Sequence, residues 1–163
     1  MGAQQVWSGA VRDYRPADWT AIARVHDAAR LQELAASVGV DAFLTLEQTA
    51  EGEGLFDDRL WVACEGGAVL GFVALADAEV TWLYVHPDHQ GRGVGTALLR
   101  RALAHADADG LAQVETTVLD GNRARALYER EGFVLAQTRT GSLAGNEAFA
   151  ATGHVLVRVH PRR

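Results

Sequence analysis

Two spacings of apolar residues divide the chain. A period near 3.6 marks amphipathic helices; a period of two, or a short unbroken apolar run, marks strands. Residues 10–13 read as a first strand. Ile22, Val25, Ala28 and Ala29 follow Pro16 at helical spacing and predict a helix over 16–30. A second helical stretch is predicted over 31–38. Residues 39–58 have no clear period, and their acidic, glycine-punctuated end, EGEGLFDD, reads as a loop. The runs LWVAC at 60–64 and VLGFVAL at 69–75 flank EGGA, where Gly66-Gly67 signals a hairpin. Residues 80–85 are rich in β-formers, and Pro87 ends that strand. A helix follows over 93–108, with Val94, Leu98, Leu99, Ala102, Leu103 and Ala106 on one arc and Gly110 as its closing residue. A strand over 111–119 comes next, then a helix capped by Asn122 and closed by Gly132. Strands over 133–138 and 155–159 end the pattern, joined by a long loop around 141–153.

The order β-α-α-β-β-β-α-β-α-β-β predicts an α/β fold built on a mixed sheet flanked by helices. The unit over 80–118 is expected to be a right-handed crossover between parallel strands. No repeat or linker divides the 163 residues, so one domain over 1–163 is expected. Hydrophobic residues make up 48% and charged residues 22%, the balance of a folded globule rather than a disordered chain. A single cysteine, Cys64, excludes a disulfide scaffold, and its apolar strand places it in the core. The longest strongly apolar stretch, AVLGFVALA at 68–76, is about half of the ~20 residues a spanning helix needs. The start, MGAQQVW, lacks a basic region followed by an apolar core, and Val6 stands where a myristoylation signal wants Ser or Thr. A cytoplasmic protein without membrane contact is expected.

The net charge of −6 disfavours nucleic acid as a partner. Residues 1–85 carry thirteen acidic side chains against five arginines, and the remainder eight against ten. That asymmetry suits a second half that holds an anion and a first half that attracts a cation, although a solvated acidic face also explains it.

The segment Gln90-Gly91-Arg92-Gly93-Val94-Gly95 lies between a strand and a helix. Alternating glycines let backbone N–H groups converge on an anion, and the helix N-terminus adds unpaired donors. The Arg92 side chain is read as a source of full positive charge, so the turn suits a diphosphate. Alone, the element also allows a ligand-free connection. It allows a dinucleotide-binding turn too, with Glu115 twenty residues past Gly95, although Leu98 replaces that fingerprint's third glycine.

These residues resemble the GCN5-related N-acetyltransferases. The family's Gln/Arg-x-x-Gly-x-Gly/Ala signature is matched by Gln90, Gly93 and Gly95. Its second element, Asn, Ala, Tyr and Gly-Phe on and after the following helix, is matched by Asn122, Ala126, Tyr128, Gly132 and Phe133. The resemblance is strong over 79–134 and topological elsewhere. It implies a GNAT-type sheet of about six to seven strands with about four helices, and acetyl-CoA as cosubstrate. It implies that the backbone amides of Arg92, Gly93, Val94, Gly95 and Thr96 bind the CoA diphosphate, with Gln90 and Gly91 shaping the turn. Leu83, Tyr84 and Val85 would pair with the pantetheine arm through their main chain. That strand should then carry a bulge and splay from the one over 111–119. Asn122 would face the cofactor, and Arg123 and Arg125 would meet the ribose phosphate unless they are a solvated helix face.

Acetyl transfer needs a base for the amine. The resemblance puts Glu79 in that role, and period-two geometry places it on one strand face with Thr81, Leu83 and Val85. A partly dry cleft should raise its pKa. A backbone N–H near Val85 would stabilise the oxyanion, and Tyr128 would protonate the leaving thiolate. His86 and His89 form an HxxH pair without an evident third ligand, so no metal is expected. Trp61 and Trp82 read as core, His26 and His154 are unplaced, and Glu147 and Phe149 are assigned to the acceptor side. The acceptor is expected to be a small-molecule or peptide amine, with Glu51, Glu53, Asp57 and Asp58 favouring a cationic one. A protein N-terminus, a non-catalytic acetyl-CoA-binding module and a Rossmann-type oxidoreductase are the alternatives. The family resemblance also allows a homodimer through the late strands.

Overall fold

The apolar run after Gly66-Gly67 does not alternate because both of its faces are covered. In the computed structural model, which describes residues 5–161, β1 (Ala10–Asp13), β2 (Arg59–Glu65), β3 (Ala68–Ala76) and β4 (Glu79–Val85) form an antiparallel meander. Gly66 and Gly67 make the β2–β3 turn with φ of 57° and 81°. On β3, Leu70, Val73 and Leu75 pack into one layer, while Val69, Phe72 and Ala74 pack into the other. Met1 and Gly2, on which the myristoylation reading bears, lie outside the described residues.

The first layer is closed by α3 (Val94–Ala108), whose predicted arc of Val94, Leu98, Leu99, Ala102, Leu103 and Ala106 is buried throughout. It links β4 to β5 (Gln113–Leu119), the parallel pair of the sheet. The second layer is closed by α1 (Trp19–Ala35) through Ile22 and Val25, and by α2 (Leu46–Thr49) through Leu46. After α4 (Ala124–Arg130), β6 (Val134–Leu143) and β7 (Asn146–Val159) complete the sheet in the order β1-β2-β3-β4-β5-β7-β6. No helix among the described residues is long and apolar enough to cross a membrane.

Three readings need correction. The helices expected over 16–30 and 31–38 are one, because nothing at Arg30-Leu31 breaks the stripe from Ile22 through Ala29 to Leu34. The unreadable stretch after it contains α2, started by a capping box in which Thr45 and Gln48 satisfy each other's backbone amides. The loop expected around 141–153 is the end of a long β6–β7 hairpin turning at Gly145, φ 82°. Every residue of β6 except Leu143 is exposed, so no apolar alternation marks it.

The sheet opens where the site forms. β4 and β5 pair only at Glu79–Glu115 and Val80–Thr116, and then diverge. On its other edge β4 carries a bulge: Trp82 faces Ala74 and Val80 faces Leu75, leaving Thr81 as the extra residue. One extra residue inverts the alternation. Val80 therefore joins the layer of Leu83 and Val85, and Glu79 falls on the face of Trp82 and Tyr84. The expectation that Glu79 shares a face with Leu83 and Val85 is wrong for this reason.

Past β5, Gly121 has φ 89°, and a Cβ there would stand 2.4 Å from the Ala36 carbonyl oxygen. Gly121→Ala is expected to lower stability by about 2–4 kcal/mol, since it adds backbone strain to a clash with main chain. Denaturant titration checks this, and a shift below about 1 kcal/mol would show that the two segments separate freely.

Candidate active site

The glycine-rich turn is shaped by three glycines for two reasons. Gly91 and Gly93 take φ of 74° and 93°. Gly95 is helical, but a Cβ there would sit 3.2 Å from Leu127 and 3.6 Å from Val85. Its lack of a side chain lets the start of α3 approach β4 and α4. Gln90 fixes the turn by donating from Nε2 to the Val85 carbonyl at 3.0 Å and to Gln32 at 2.8 Å. The first N–H groups of α3 have no intrahelical acceptor, so they are free to meet an anion.

The Arg92 side chain does not serve the turn as expected. Its guanidinium donates to both Glu65 oxygens at 2.9 and 3.0 Å and to the Gln5 carbonyl at 2.8 Å, with His89 Nδ1 at 3.1 Å. Arg92 and the Ser8 amide hold the Glu65 carboxyl below the usual carboxylate range. Val94 likewise turns into the core. Both residues offer the turn only their main chain.

A groove of about 500 Å³ runs from this turn along Leu83, Tyr84 and Val85 to Asn122. Asn122 sits two residues before α4, accepting from the Ala124 amide at 2.8 Å while its Nδ2 donates to Glu33. Arg123 and Arg130 line the groove. Arg125 instead donates to Glu129 at 2.6 Å along the helix and is not in the lining, contrary to expectation. Tyr128 is 4% exposed and packs edge-on against Phe133 at 5.2 Å. Burial pushes its phenol up, opposed by a hydrogen bond with Thr116. Thr116, which donates to the Val80 carbonyl at 2.9 Å, stands at the root of the β4–β5 split, while Tyr128, expected to meet the thioester, is not in the lining of the groove.

A second cleft, of about 640 Å³, lies on the far side of Tyr84, between α1, β4 and the β6–β7 hairpin. Glu79 lines it half-buried, its carboxyl pushed up by burial first and then by Glu115 and Asp58. Asp58 is also pushed up by burial, against a 2.7 Å hydrogen bond from Thr81. Trp82, read from the sequence as core, and His26 form one wall, with the His26 ring 5.0 Å from Tyr84. Burial pushes His26 down, which favours its neutral form. The hairpin contributes Thr140 and Ser142. Glu147 and Phe149, assigned to this side from sequence, are outside the lining, and Phe149 packs with Leu34 and Leu143. His154 pairs with Asp120 at 2.9 Å outside both clefts. Cys64 is half-buried on β2. His86 Nδ1 accepts from the Asp88 amide at 3.1 Å, and no three-ligand metal cluster occurs among the described residues.

The two clefts share Glu33 and Tyr84. Tyr84 donates to Glu33 at 3.1 Å, and Arg30 and Asn122 donate to the same carboxylate. Sequence reasoning missed Glu33. A signal was present: it follows Ile22, His26 and Ala29 on the buried stripe of α1, an unusual place for an acid.

The acetyltransferase (GNAT) domain family matches residues 56–135. A mycothiol acetyltransferase of Beutenbergia cavernae is 44% identical over 101 residues, 55% of this chain and 34% of its own. The chain thus spans about a third of that relative's length. An uncharacterized N-acetyltransferase of Mycobacterium tuberculosis is 32% identical over 127 residues, 73% of this chain and 78% of its own. Among solved structures, a GCN5-related N-acetyltransferase from Rhodopseudomonas palustris superposes with a TM-score of 0.80 at 24% identity. It covers 98% of this chain and 100% of that one. The yncA protein of Salmonella typhimurium, solved with acetyl-CoA, gives 0.70 at 24% identity, with 95% of each chain covered.

Proposed function

Since this chain belongs to the GNAT acetyltransferase family, we propose that it is an acetyl-CoA-dependent N-acetyltransferase. Its acceptor is a primary amine of a small molecule or peptide, acetylated by direct transfer. The observation that carries this reading is the meeting of two clefts at the β4–β5 split, one ending on the glycine-rich turn and the other on Glu79.

The residues present fit acetyl-CoA. Gly91 and Gly93 take positive φ because they carry no Cβ, which leaves the turn's main chain open, and the start of α3 offers amides to a diphosphate. Bound there, acetyl-CoA supplies a thioester whose C–S bond breaks as the C–N bond forms; the nitrogen loses one proton and the sulfur gains one. The amides of Arg92, Gly93, Val94, Gly95 and Thr96 hold the phosphates. The main chain of Leu83, Tyr84 and Val85 follows the pantetheine arm, and an amide near Val85 faces the developing negative charge on oxygen. Glu79 takes the proton from nitrogen, directly or through water. Tyr128, hydrogen-bonded to Thr116, donates one to sulfur. Glu53 and Glu79 in the acceptor cleft, with Asp58 beside it, favour a cationic amine.

A panel of amines assayed for release of free CoA thiol tests the reading. Acetyl-dependent release with at least one cationic amine is expected. Tight acetyl-CoA binding without release would make the chain a binding module. Tyr128→Phe is expected to lower kcat about 10–100-fold while leaving the Kd for acetyl-CoA within about threefold. An unchanged kcat would remove Tyr128 from the reaction.

A further inference from the structure

We propose that Glu33 is a second catalytic carboxylate, accepting a hydrogen bond from the acceptor nitrogen where the two clefts meet. This rests on the transfer reading above and names a residue for the same site.

The argument begins with distance. A nitrogen that attacks a thioester has to stand about 3–3.5 Å from its carbon. With the thioester arriving through one cleft and the amine through the other, that point is their junction. Among the described residues, Glu33 is the acid that lines both clefts. Glu79 lines only the acceptor cleft, five positions before Tyr84 on β4.

The second argument is the occupancy of the carboxylate. Glu33 Oε1 accepts from Arg30 and from the Tyr84 hydroxyl, and Oε2 accepts from Asn122 Nδ2. An ionised carboxylate offers about four lone-pair sites. Three are filled among the described residues, and the fourth is on Oε2, the oxygen turned toward Asn122 and the groove. The donors come from α1, β4 and Asn122 just ahead of α4, where Arg123 rather than Asn122 holds the N-cap position, so the carboxylate is held from three directions. Its side chain is 13% exposed. An N–H of the amine fills the fourth site and turns the nitrogen lone pair toward the carbonyl carbon. No proton passes to Glu33: the proton shed by nitrogen goes to Glu79, and the sulfur receives its own from Tyr128.

The test compares wild type, Glu33→Gln and Glu33→Asp for amine acetylation, slow acetyl-CoA hydrolysis without amine, and acetyl-CoA binding by calorimetry. Expected for Glu33→Gln is a loss of about 50-fold in kcat/KM for the amine, at least about tenfold greater than any loss in hydrolysis or in acetyl-CoA affinity. Glu33→Asp, which withdraws the carboxylate by one methylene, is expected to lose about tenfold if the Gln variant fails to fold. Amine kcat/KM within threefold of wild type in either variant overturns the proposal. So does a parallel loss of acetyl-CoA affinity, which would make Glu33 a structural knot. Wild-type acetylation in the same assay distinguishes failure of Glu33 from failure of the transfer reading.

Discussion

Glu79→Gln is expected to lower kcat for amine acetylation by about 100-fold, or about 2.7 kcal/mol of barrier, while leaving acetyl-CoA affinity intact. The glutamine keeps the size of the side chain and its place on the bulged start of β4, but it takes no proton. Burial, Glu115 and Asp58 all push the Glu79 carboxyl above the ordinary carboxylate range. The base acts when ionised. Wild-type activity should therefore fall on acidification at a higher pH than an unperturbed carboxylate would dictate, and the variant should lose that limb. Stability moves the other way. A carboxyl whose pKa is raised by folding disfavours its own ionised form, so near neutral pH it weighs against the folded state. The glutamine variant should melt no lower than wild type at neutral pH and approach it on acidification. A kcat–pH profile beside thermal melts measures both. Wild-type kcat with the acidic limb retained would remove Glu79 as the base.

Gly93→Val is expected to weaken acetyl-CoA binding at least about 100-fold in calorimetry, in addition to a stability cost of about 1–2 kcal/mol for a left-handed non-glycine residue. Gly93 has φ 93° and ψ 3°, immediately before the first residue of α3. A β-branched residue resists the left-handed region, and relief of that strain rotates the peptide groups on either side. Those groups are the donors assigned to the diphosphate. A Cβ itself fits, because the nearest atom to it is 3.7 Å away on Trp7. The expected loss comes from the direction of the N–H groups. Retained affinity would show that the phosphates are held elsewhere, for instance by Arg123 and Arg130.

The turn was legible because its chemistry is contiguous. Gln90 through Gly95 carry in their own order the glycines at positive φ, the helix start and the side chain that ties the turn to β4. The α3 arc and the β2–β3 hairpin were legible for the same reason: periodicity and turn preference belong to neighbouring residues. The role assigned to the Arg92 side chain did not survive, because its partners, Glu65 and Gln5, are remote in sequence. The resemblance put Arg125 at the ribose phosphate unless it lay on a solvated helix face, and along the helix it pairs with Glu129 instead. On β6 the first half was read as a strand over 133–138, but beyond it the exposed residues gave no pattern, and pairing with β7 decides where the strand ends.

What the amino-acid order determined by itself was the sheet-and-helix framework and a glycine-shaped turn opening onto a helix N-terminus. What only tertiary structure decided was where the two clefts touch. A single extra residue, Thr81, sends Glu79 to the opposite face of β4. The divergence of β4 from β5 opens the split, and α1 brings Glu33 to Tyr84 and Asn122, residues 51 and 89 positions away. Local preferences act over a turn of chain. The junction depends on how separate elements cross, and that is fixed when both faces of the sheet are buried together.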